Sequence, residues 1–325
     1  MRTFQVRHIM INKVIFSLFL IYGSLIIGWL FRIKNWCSED KSSILMRRAI
    51  CGLEPLIGCF AFWILDLSDL KILTLPLVGA LIVTATFIPA LPSARILRLD
   101  RKRKGSYVLG ALFSNGGYIG APLCFILLGE EAFALAWLYI IFFAPYFFTV
   151  GFSLAARYGQ EERISIRHSL KEFFSDRVRI MPLLGIGLGA SLNLLRYPRP
   201  EFFGVLNKVL VALAIFVYMF AIGLGLRLKK MKGFPREITF ISLIKFIYVP
   251  LVGIGFGLLF GYHHILGGLP LKVVFIQAIM PAAIWSVIAA NLYGLNKNLA
   301  NSIWIWTTLL LLPLLPLIMW IVKIL

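Results

Sequence analysis

Apolar runs of about twenty residues recur along the chain and constrain its fold more than any other feature. A helix rises about 1.5 Å per residue, so roughly 20 apolar residues cross the hydrocarbon core of a bilayer, which is about 30 Å thick. Because 60% of the residues are hydrophobic and only 14% are charged, the sequence predicts an all-α integral membrane protein. Ten candidate spans can be drawn, at residues 10–31, 45–65, 72–92, 107–128, 132–156, 178–195, 204–226, 237–260, 270–293 and 299–323.

The basic residues are concentrated in every second connection between these spans. The odd-numbered connections, with the residues that flank them, hold 23 Lys and Arg residues, and the even-numbered ones hold 5. This bias predicts that the odd connections are cytoplasmic and that both termini are extracytoplasmic. It also accounts for the formal charge of +19 without nucleic-acid binding. The N-terminal tail, with Arg2, Arg7 and Lys13, gives the opposite signal but is outweighed by the full set of connections.

The longest polar loop, residues 157–177, divides the spans into two sets of five. We therefore predict a first five-helix repeat at residues 1–156 and a second at residues 178–325. Because each set has an odd number of spans, the two sets insert in opposite orientations, and the repeat is inverted. The fourth span of each set, which is span four or span nine of the chain, is expected to be an interrupted helix.

Both of these spans contain residues that weaken a helix. Span four carries Gly116, Gly117, Gly120 and Pro122 within seven positions, and span nine carries Pro281 in its middle. In lipid, such a break is tolerated only where the freed backbone groups are buried in protein or line a wet cavity. Glycine and proline can also be simple packing or kink residues, but their matched positions favour a binding site where helices four and nine cross.

The two breaks predict that new half-helices start near the membrane midplane. Pro122 and Pro281 suit the first turns of these half-helices, where a missing N–H group costs nothing. The positive ends of both helix dipoles would then face the centre of the protein and favour an anion. Half-helix carboxyl ends at the same crossing could equally hold a cation, so the sign of the ligand stays open.

Few polar side chains lie near the breaks. The Asn115 amide can donate to a carboxylate, or it can merely cap the interrupted backbone. Gln277 and Ser286 are the corresponding candidates in span nine. No mid-membrane carboxylate pair, nucleophile–base arrangement, phosphate-binding loop or metal-ligand cluster is present, so the sequence predicts neither an enzyme nor a resident cofactor.

Two ionisable residues, Glu54 in span two and Lys245 in span eight, lie within apolar runs. Such residues are functional candidates because a charge inside a membrane is costly. Both lie several residues in from the cytoplasmic ends of their helices. One hypothesis is that they pair in one conformational state and that Lys245 admits a substrate carboxylate in another. The alternative is that each side chain reaches the cytoplasmic interface independently.

The sequence around the breaks resembles the auxin efflux carrier family, which includes plant auxin carriers and bacterial malonate or malate permease-like proteins. The matching motifs are FSNGGYIGAPL at residues 113–123 with the following Gly129-Glu130, IMPAA at residues 279–283, AANLYGL at residues 289–295, the tail from Thr307-Thr308 to Pro316, and Pro55 and Pro250.

The resemblance implies ten spans, a scaffold domain from spans one, two, six and seven, and a transport domain from the other spans. It also implies elevator-like alternating access for small organic anions and a homodimer formed through the scaffold. The chain lacks the long central loop of many plant carriers, which favours a multi-pass protein of a bacterial inner membrane.

Two residues depart from the family pattern, namely Glu54 before its proline and the bulky Trp285. Trp285 could narrow the site or stack on an aromatic substrate. The favoured interpretation is a secondary carrier of small carboxylates. The alternatives are a sodium- or proton-coupled symporter or antiporter of a related inverted-repeat fold, and a transport-inactive membrane sensor or assembly partner. A cation antiporter should show aspartates at the crossing, and spans four and nine have none.

Overall fold

The computed structural model describes residues 19–38, 40–67, 69–159, 177–225 and 233–325. The basic N-terminal tail, the start of span one and most of the loop 157–177 lie outside the described residues. Every regular element in the described residues is helical. The α-helices are α1 (Ser24–Ile33), α2 (Asp40–Gly52), α3 (Glu54–Trp63), α4 (Leu75–Ile96), α5 (Arg101–Leu112), α6 (Ala121–Leu128), α7 (Glu130–Ile140), α8 (Phe143–Tyr146), α9 (Phe152–Tyr158), α10 (Arg177–Leu194), α11 (Glu201–Leu224), α12 (Pro235–Leu243), α13 (Val249–Leu259), α14 (Leu269–Ala278), α15 (Ile284–Leu292) and α16 (Lys297–Ile324).

Short π- and 3₁₀-helical turns join several of these helices into longer apolar stretches. The π-turns are Phe19–Gly23, Gly116–Gly120, Phe147–Gly151 and Ile244–Tyr248, and the 3₁₀ turns are Leu70–Thr74, Tyr262–His264 and Leu266–Gly268. In the described chain, five stretches are long and apolar enough to cross a membrane, namely Leu70–Ile96, Glu130–Tyr158, Glu201–Leu224, Pro235–Leu259 and Lys297–Ile324. Shorter apolar helices occur at Phe19–Ile33, Gly116–Leu128, Ile180–Leu194 and Leu266–Ala278.

These stretches confirm the prediction of an all-helical membrane protein. The five long ones coincide with predicted spans three, five, seven, eight and ten. Side-chain caps define two of the helix starts, because the Asp100 carboxylate accepts from the Arg103 amide at 2.9 Å and the Asn296 carbonyl accepts from the Leu299 amide at 2.9 Å. These caps satisfy backbone N–H groups that have no partner within their own helix.

The described residues form two compact units. The first contains residues 19–66, 121–134 and 177–225. Within it, α10 packs against α3 and α11 packs against α1. A largely enclosed ion pair joins Glu130, at the start of α7, to Arg199, which precedes α11. This pair ties the segment 121–134 to the helices of its own unit.

The second unit contains residues 67–120, 135–159 and 233–325. In this unit, α4 packs on α5, α13 packs on α14, and α16 packs on both α5 and α15. Arg103 and Glu237 form an ion pair between α5 and α12. Each unit draws helices from both predicted five-helix repeats, so the compact units are a different division from the halves of the sequence. The repeat itself stays a prediction.

Candidate functional site

The two predicted helix breaks lie against each other in the second unit. α5 ends at Leu112 and α14 ends at Ala278, and the residues that follow each helix are not helical. The Asn115 backbone N–H donates to the Pro281 carbonyl, and the Ala283 backbone N–H donates to the Phe113 carbonyl, both at 2.8 Å. Ser114 and Ala282 face each other as an antiparallel bridge between these two bonds. The crossing of the two unwound segments therefore satisfies backbone groups that the missing helix would have paired.

New helical segments begin directly after the crossing. On one side, the π-turn Gly116–Gly120 leads into α6, so the half-helix starts at Gly116, and Pro122 lies six residues after this start and not in the first turn. On the other side, α15 begins at Ile284, so Pro281 precedes that helix by three residues and does not lie in its first turn. Pro281 instead supplies its carbonyl to the crossing. The first N–H groups of each segment have no partner within their own helix.

A side chain from α16 also holds the crossing together. The Thr307 hydroxyl accepts a hydrogen bond from the Ala282 amide at 3.1 Å and donates to the Ile303 carbonyl at 2.7 Å. Both Thr307 and Ala282 are fully buried. Thr307 thus supplies the acceptor that the unwound backbone lacks at this position.

Thr307→Val is expected to destabilise the protein by about 1–3 kcal/mol, because it leaves the buried Ala282 N–H group without its acceptor. The neighbouring Thr308 is the matched control, since among the described residues its hydroxyl bonds to the Trp304 carbonyl alone, one turn back in the same helix. Thermal unfolding of the two purified variants in detergent provides the comparison. Equal unfolding midpoints for Thr307→Val and Thr308→Val would show that the contact to Ala282 contributes nothing.

A cavity lies beside the crossing within the second unit. Its polar part is formed by Ser114, Gly116 and Gln277, while the remainder is apolar and aromatic. The cavity volume is about 30 Å³, which is room for about two water molecules. A larger ligand would require the aromatic wall to move. That wall and the apolar remainder comprise Ile82, Val83, Leu112, Tyr139, Ile140, Phe142, Phe143, Val249 and Ala278.

Lys245 reaches this cavity through Ser114. The lysine lies in the π-turn Ile244–Tyr248 and is fully buried. Its Nζ donates to the Ser114 Oγ at 3.0 Å. The Ser114 hydroxyl group therefore separates a buried ammonium group from the cavity. Sequence reasoning identified Lys245 as a candidate but not Ser114 as its partner.

Two buried amide side chains accompany this cation. Asn115 is 3% exposed and Gln277 is 1% exposed. The Asn115 Nδ2 and both terminal atoms of Gln277 have no hydrogen-bond partner among the described residues. Gln277 lies against the glycine face of the π-turn, since a Cβ atom on Gly116 or Gly120 would approach its Oε1 to 2.5 or 2.6 Å. Because no described residue bonds to these amide atoms, they are available to bind a polar ligand.

The other predicted binding residues have different surroundings. The Ser286 hydroxyl donates to the Leu109 carbonyl at 2.9 Å, so it braces α15 against α5. Trp285 packs edge-on against Phe147 and Phe148 and is not part of the cavity lining. A Cβ atom on Gly117 would meet no atom within 4 Å.

Glu54 has its partner within the first unit. Its carboxylate accepts from the Tyr218 hydroxyl at 2.5 Å, and the residue is 8% exposed. Glu54 and Lys245 thus each engage a different residue of their own unit. The hypothesis that they pair with each other stays a prediction about another conformational state.

Comparison with known proteins identifies the family. A family model described as a membrane transport protein matches residues 66–319. The chain belongs to the auxin efflux carrier family. It is 24% identical over 293 residues to an uncharacterized transporter of Methanothermobacter thermautotrophicus, and the match covers 90% of this chain and 93% of the relative. It is 26% identical over 291 residues to an uncharacterized transporter of Methanocaldococcus jannaschii, covering 88% of this chain and 92% of that protein.

Sequence reasoning missed one charged cluster of this family member. Arg199 forks onto the Glu130 carboxylate at 2.5 and 3.0 Å, and the Asn207 amide donates to the same carboxylate at 2.5 Å. Glu130 lies seven residues after the end of the first crossover motif and could have been singled out there. Its partners lie 69 and 77 residues further along the chain, and no local pattern indicates them.

Proposed function

We propose that the chain is a secondary carrier of small organic anions, with the substrate bound where helices four and nine cross. The observation that carries this proposal is that the Asn115 Nδ2 and both terminal atoms of Gln277 lack partners among the described residues. They lie in the same unit as buried Lys245 and its hydrogen-bond partner Ser114. Buried polar groups without partners are rare in native proteins, and a ligand, an ion or a water molecule can complete their hydrogen bonding. The other predicted binding residues would shape the surroundings of this site, namely Gly116, Gly117, Gly120, Pro122, Pro281, Trp285 and Ser286.

Electrostatics favours an anion over a cation here. The cavity lining contains no carboxylate, and the nearest charge behind Ser114 is the Lys245 ammonium group. The half-helices that start at Gly116 and Ile284 add the positive ends of their dipoles. A carboxylate group suits donors of this kind, because amide and hydroxyl hydrogens are what it accepts.

The two compact units support an alternating-access mechanism of the elevator type. The first unit holds predicted spans one, two, six and seven, with residues 121–134, and the second holds the remaining helices. This division resembles the scaffold and transport domains that the family resemblance implies, except that residues 121–134, from predicted spans four and five, fall in the first unit. In the proposal, ten spans form an inverted repeat, both termini are extracytoplasmic, the scaffold mediates a homodimer, and the protein resides in a bacterial inner membrane.

Counterflow exchange in proteoliposomes tests the proposed function. Vesicles loaded with unlabelled malonate, malate or indole acetate are expected to accumulate the labelled anion faster than protein-free vesicles. Repeating the measurement with and without sodium and pH gradients determines the coupling ion. Glu54 and Lys245 are the candidate residues for coupling or gating. The absence of exchange for every organic anion would instead favour a transport-inactive sensor or assembly partner.

Asn115→Ala is expected to reduce anion exchange at least tenfold while shifting the unfolding midpoint little. The reason is that the Asn115 side-chain nitrogen has no partner to lose among the described residues, whereas a bound carboxylate would lose a donor. Asn291→Ala is the control, because that amide donates to the Val287 carbonyl in its own helix. If Asn115→Ala changed only stability, the amide would have a capping role, and the binding proposal would lose its main support.

A further inference from the structure

The surroundings of Lys245 limit the charge that the cavity can hold. Lys245 is fully buried, and Ser114 is its one hydrogen-bond partner among the residues that the structure describes. No carboxylate of the described chain forms an ion pair with it. A buried ammonium group without a counter-ion is costly, so an anion bound nearby would favour the protonated form of Lys245 and balance its charge.

The Ser114 hydroxyl group can hold a ligand close to the Lys245 nitrogen. A hydroxyl group donates one hydrogen bond and accepts two. The Ser114 oxygen accepts from the Lys245 ammonium group, and within the described chain its own hydrogen has no acceptor. A carboxylate that accepted this hydrogen would lie within about 6 Å of the Lys245 nitrogen, the sum of two hydrogen-bond lengths. At an effective dielectric constant of about 20, attraction over this distance corresponds to roughly a hundredfold in affinity.

The rest of the lining offers no second positive charge. Its other polar side chains are the Gln277 amide and the Tyr139 hydroxyl, which carry no positive charge, and its remaining members are glycine, aliphatic residues and phenylalanine. Asn115, the neighbour of Ser114, is neutral as well. A ligand with one negative charge would therefore give a neutral complex with Lys245. A second carboxylate would have to stay ionised against an apolar wall with no counter-charge.

We infer that Lys245, acting through Ser114, makes the carrier selective for organic anions that bear one negative charge, and that dianions are poor substrates. This inference rests on the proposed function, because it specifies the charge of the transported anion. Lys245 is thereby a specificity-determining residue that acts on the ligand through the Ser114 hydroxyl. The small size of the cavity in this conformation agrees with the entry of a single carboxylate head.

Malonate, its monoamide and its diamide provide a matched test, because they differ little in size and carry two, one and no negative charges. Counterflow exchange is measured in proteoliposomes with the membrane potential clamped at zero, at about pH 7.5, where carboxyl groups are ionised. Protein-free vesicles correct for leakage of the neutral diamide. The monoamide is expected to exchange at least ten times faster than either malonate or the diamide.

Lys245→Met should change the preferred substrate from a monoanion to a neutral molecule. The variant keeps the length and apolar stem of the side chain but has no charge, so the diamide is expected to exchange faster than the monoamide. Lys272→Met removes a lysine of the same unit that is not part of the cavity lining, and it should keep the wild-type order. Ser114→Ala retains the lysine but removes the hydroxyl, and it is expected to weaken the preference for the monoamide even if Lys245→Met does not fold.

The outcomes separate this inference from the function on which it rests. Exchange of malonate as fast as that of its monoamide would overturn the charge selectivity and leave an organic-anion carrier. An unchanged preference for the monoamide in folded Lys245→Met would remove Lys245 as its cause. If no organic anion exchanged at all, both the proposed function and the inference would be wrong.

Discussion

Replacing Arg199 with methionine is expected to lower the free energy of unfolding by about 3–5 kcal/mol, because it leaves a buried carboxylate without its counter-ion. The side chains of Arg199 and Glu130 are 11% and 10% exposed. Arg199 also donates to the Phe60 carbonyl at 2.8 Å, so its removal leaves that acceptor short of a donor as well. After this replacement, the Asn207 side-chain amide is the one described group that would still donate to the Glu130 carboxylate.

A double-mutant cycle shows how much of this effect belongs to the pair. Replacing both partners, with Glu130→Leu and Arg199→Met together, is expected to cost less than the sum of the two single changes, since no isolated charge remains. Arg196→Met is the matched control, because that arginine is exposed in the same connection between α10 and α11. Thermal unfolding of the purified proteins in detergent gives all four comparisons. Strict additivity of the two single changes would contradict the interpretation of a coupled buried pair.

Gly120→Ala is expected to reduce organic-anion exchange at least tenfold and to destabilise the fold by about 1–3 kcal/mol through overpacking. A Cβ atom at this position would lie 2.6 Å from the Gln277 Oε1 and 2.9 Å from the Met280 Cγ. Both neighbours are fully enclosed, so the Gln277 amide has to leave its place against the π-turn. A displacement of about 1 Å at a binding group is enough for a loss of this size.

The same turn supplies the control for this prediction. Gly117→Ala should have almost no effect on packing, because a Cβ atom there meets nothing within 4 Å. Adding Gln277→Ala to Gly120→Ala should restore much of the stability but not the exchange, since the amide itself is then absent. Stability is measured by thermal unfolding and exchange by counterflow. Wild-type exchange by Gly120→Ala would mean that the position of Gln277 is unimportant for binding.

The breaks in helices four and nine could be predicted because their causes are local. Glycine frees the backbone and proline removes a donor wherever they occur in a span. The topology of two five-span halves then predicted that the breaks correspond. The hydrogen bonds between Asn115 and Pro281 and between Phe113 and Ala283 show that the breaks also meet in space. How the half-helix after Ala283 begins was less predictable, since Pro281 takes part in the crossing instead of starting that helix.

The residues that surround the cavity were harder to predict. Matched depth suggested that Lys245 and Glu54 could pair, but depth along a helix does not determine which way a side chain points. In the structure Lys245 bonds to Ser114, 131 residues away in the chain, and Glu54 bonds to Tyr218, 164 residues away. Ser286 was predicted as a binding residue from its polarity, yet its hydroxyl group is already bonded to the Leu109 carbonyl.

The sequence by itself determined the class of protein, the apolar segments and the two interrupted helices, because hydropathy and backbone stiffness are properties of consecutive residues. It also carried the motifs that place the chain in its family. Only the tertiary structure decided that Ser114 separates Lys245 from the cavity and that Gln277 lies in the glycine face of the π-turn. Such contacts depend on the rotation and packing of helices from distant parts of the chain, and neither local composition nor periodicity encodes them.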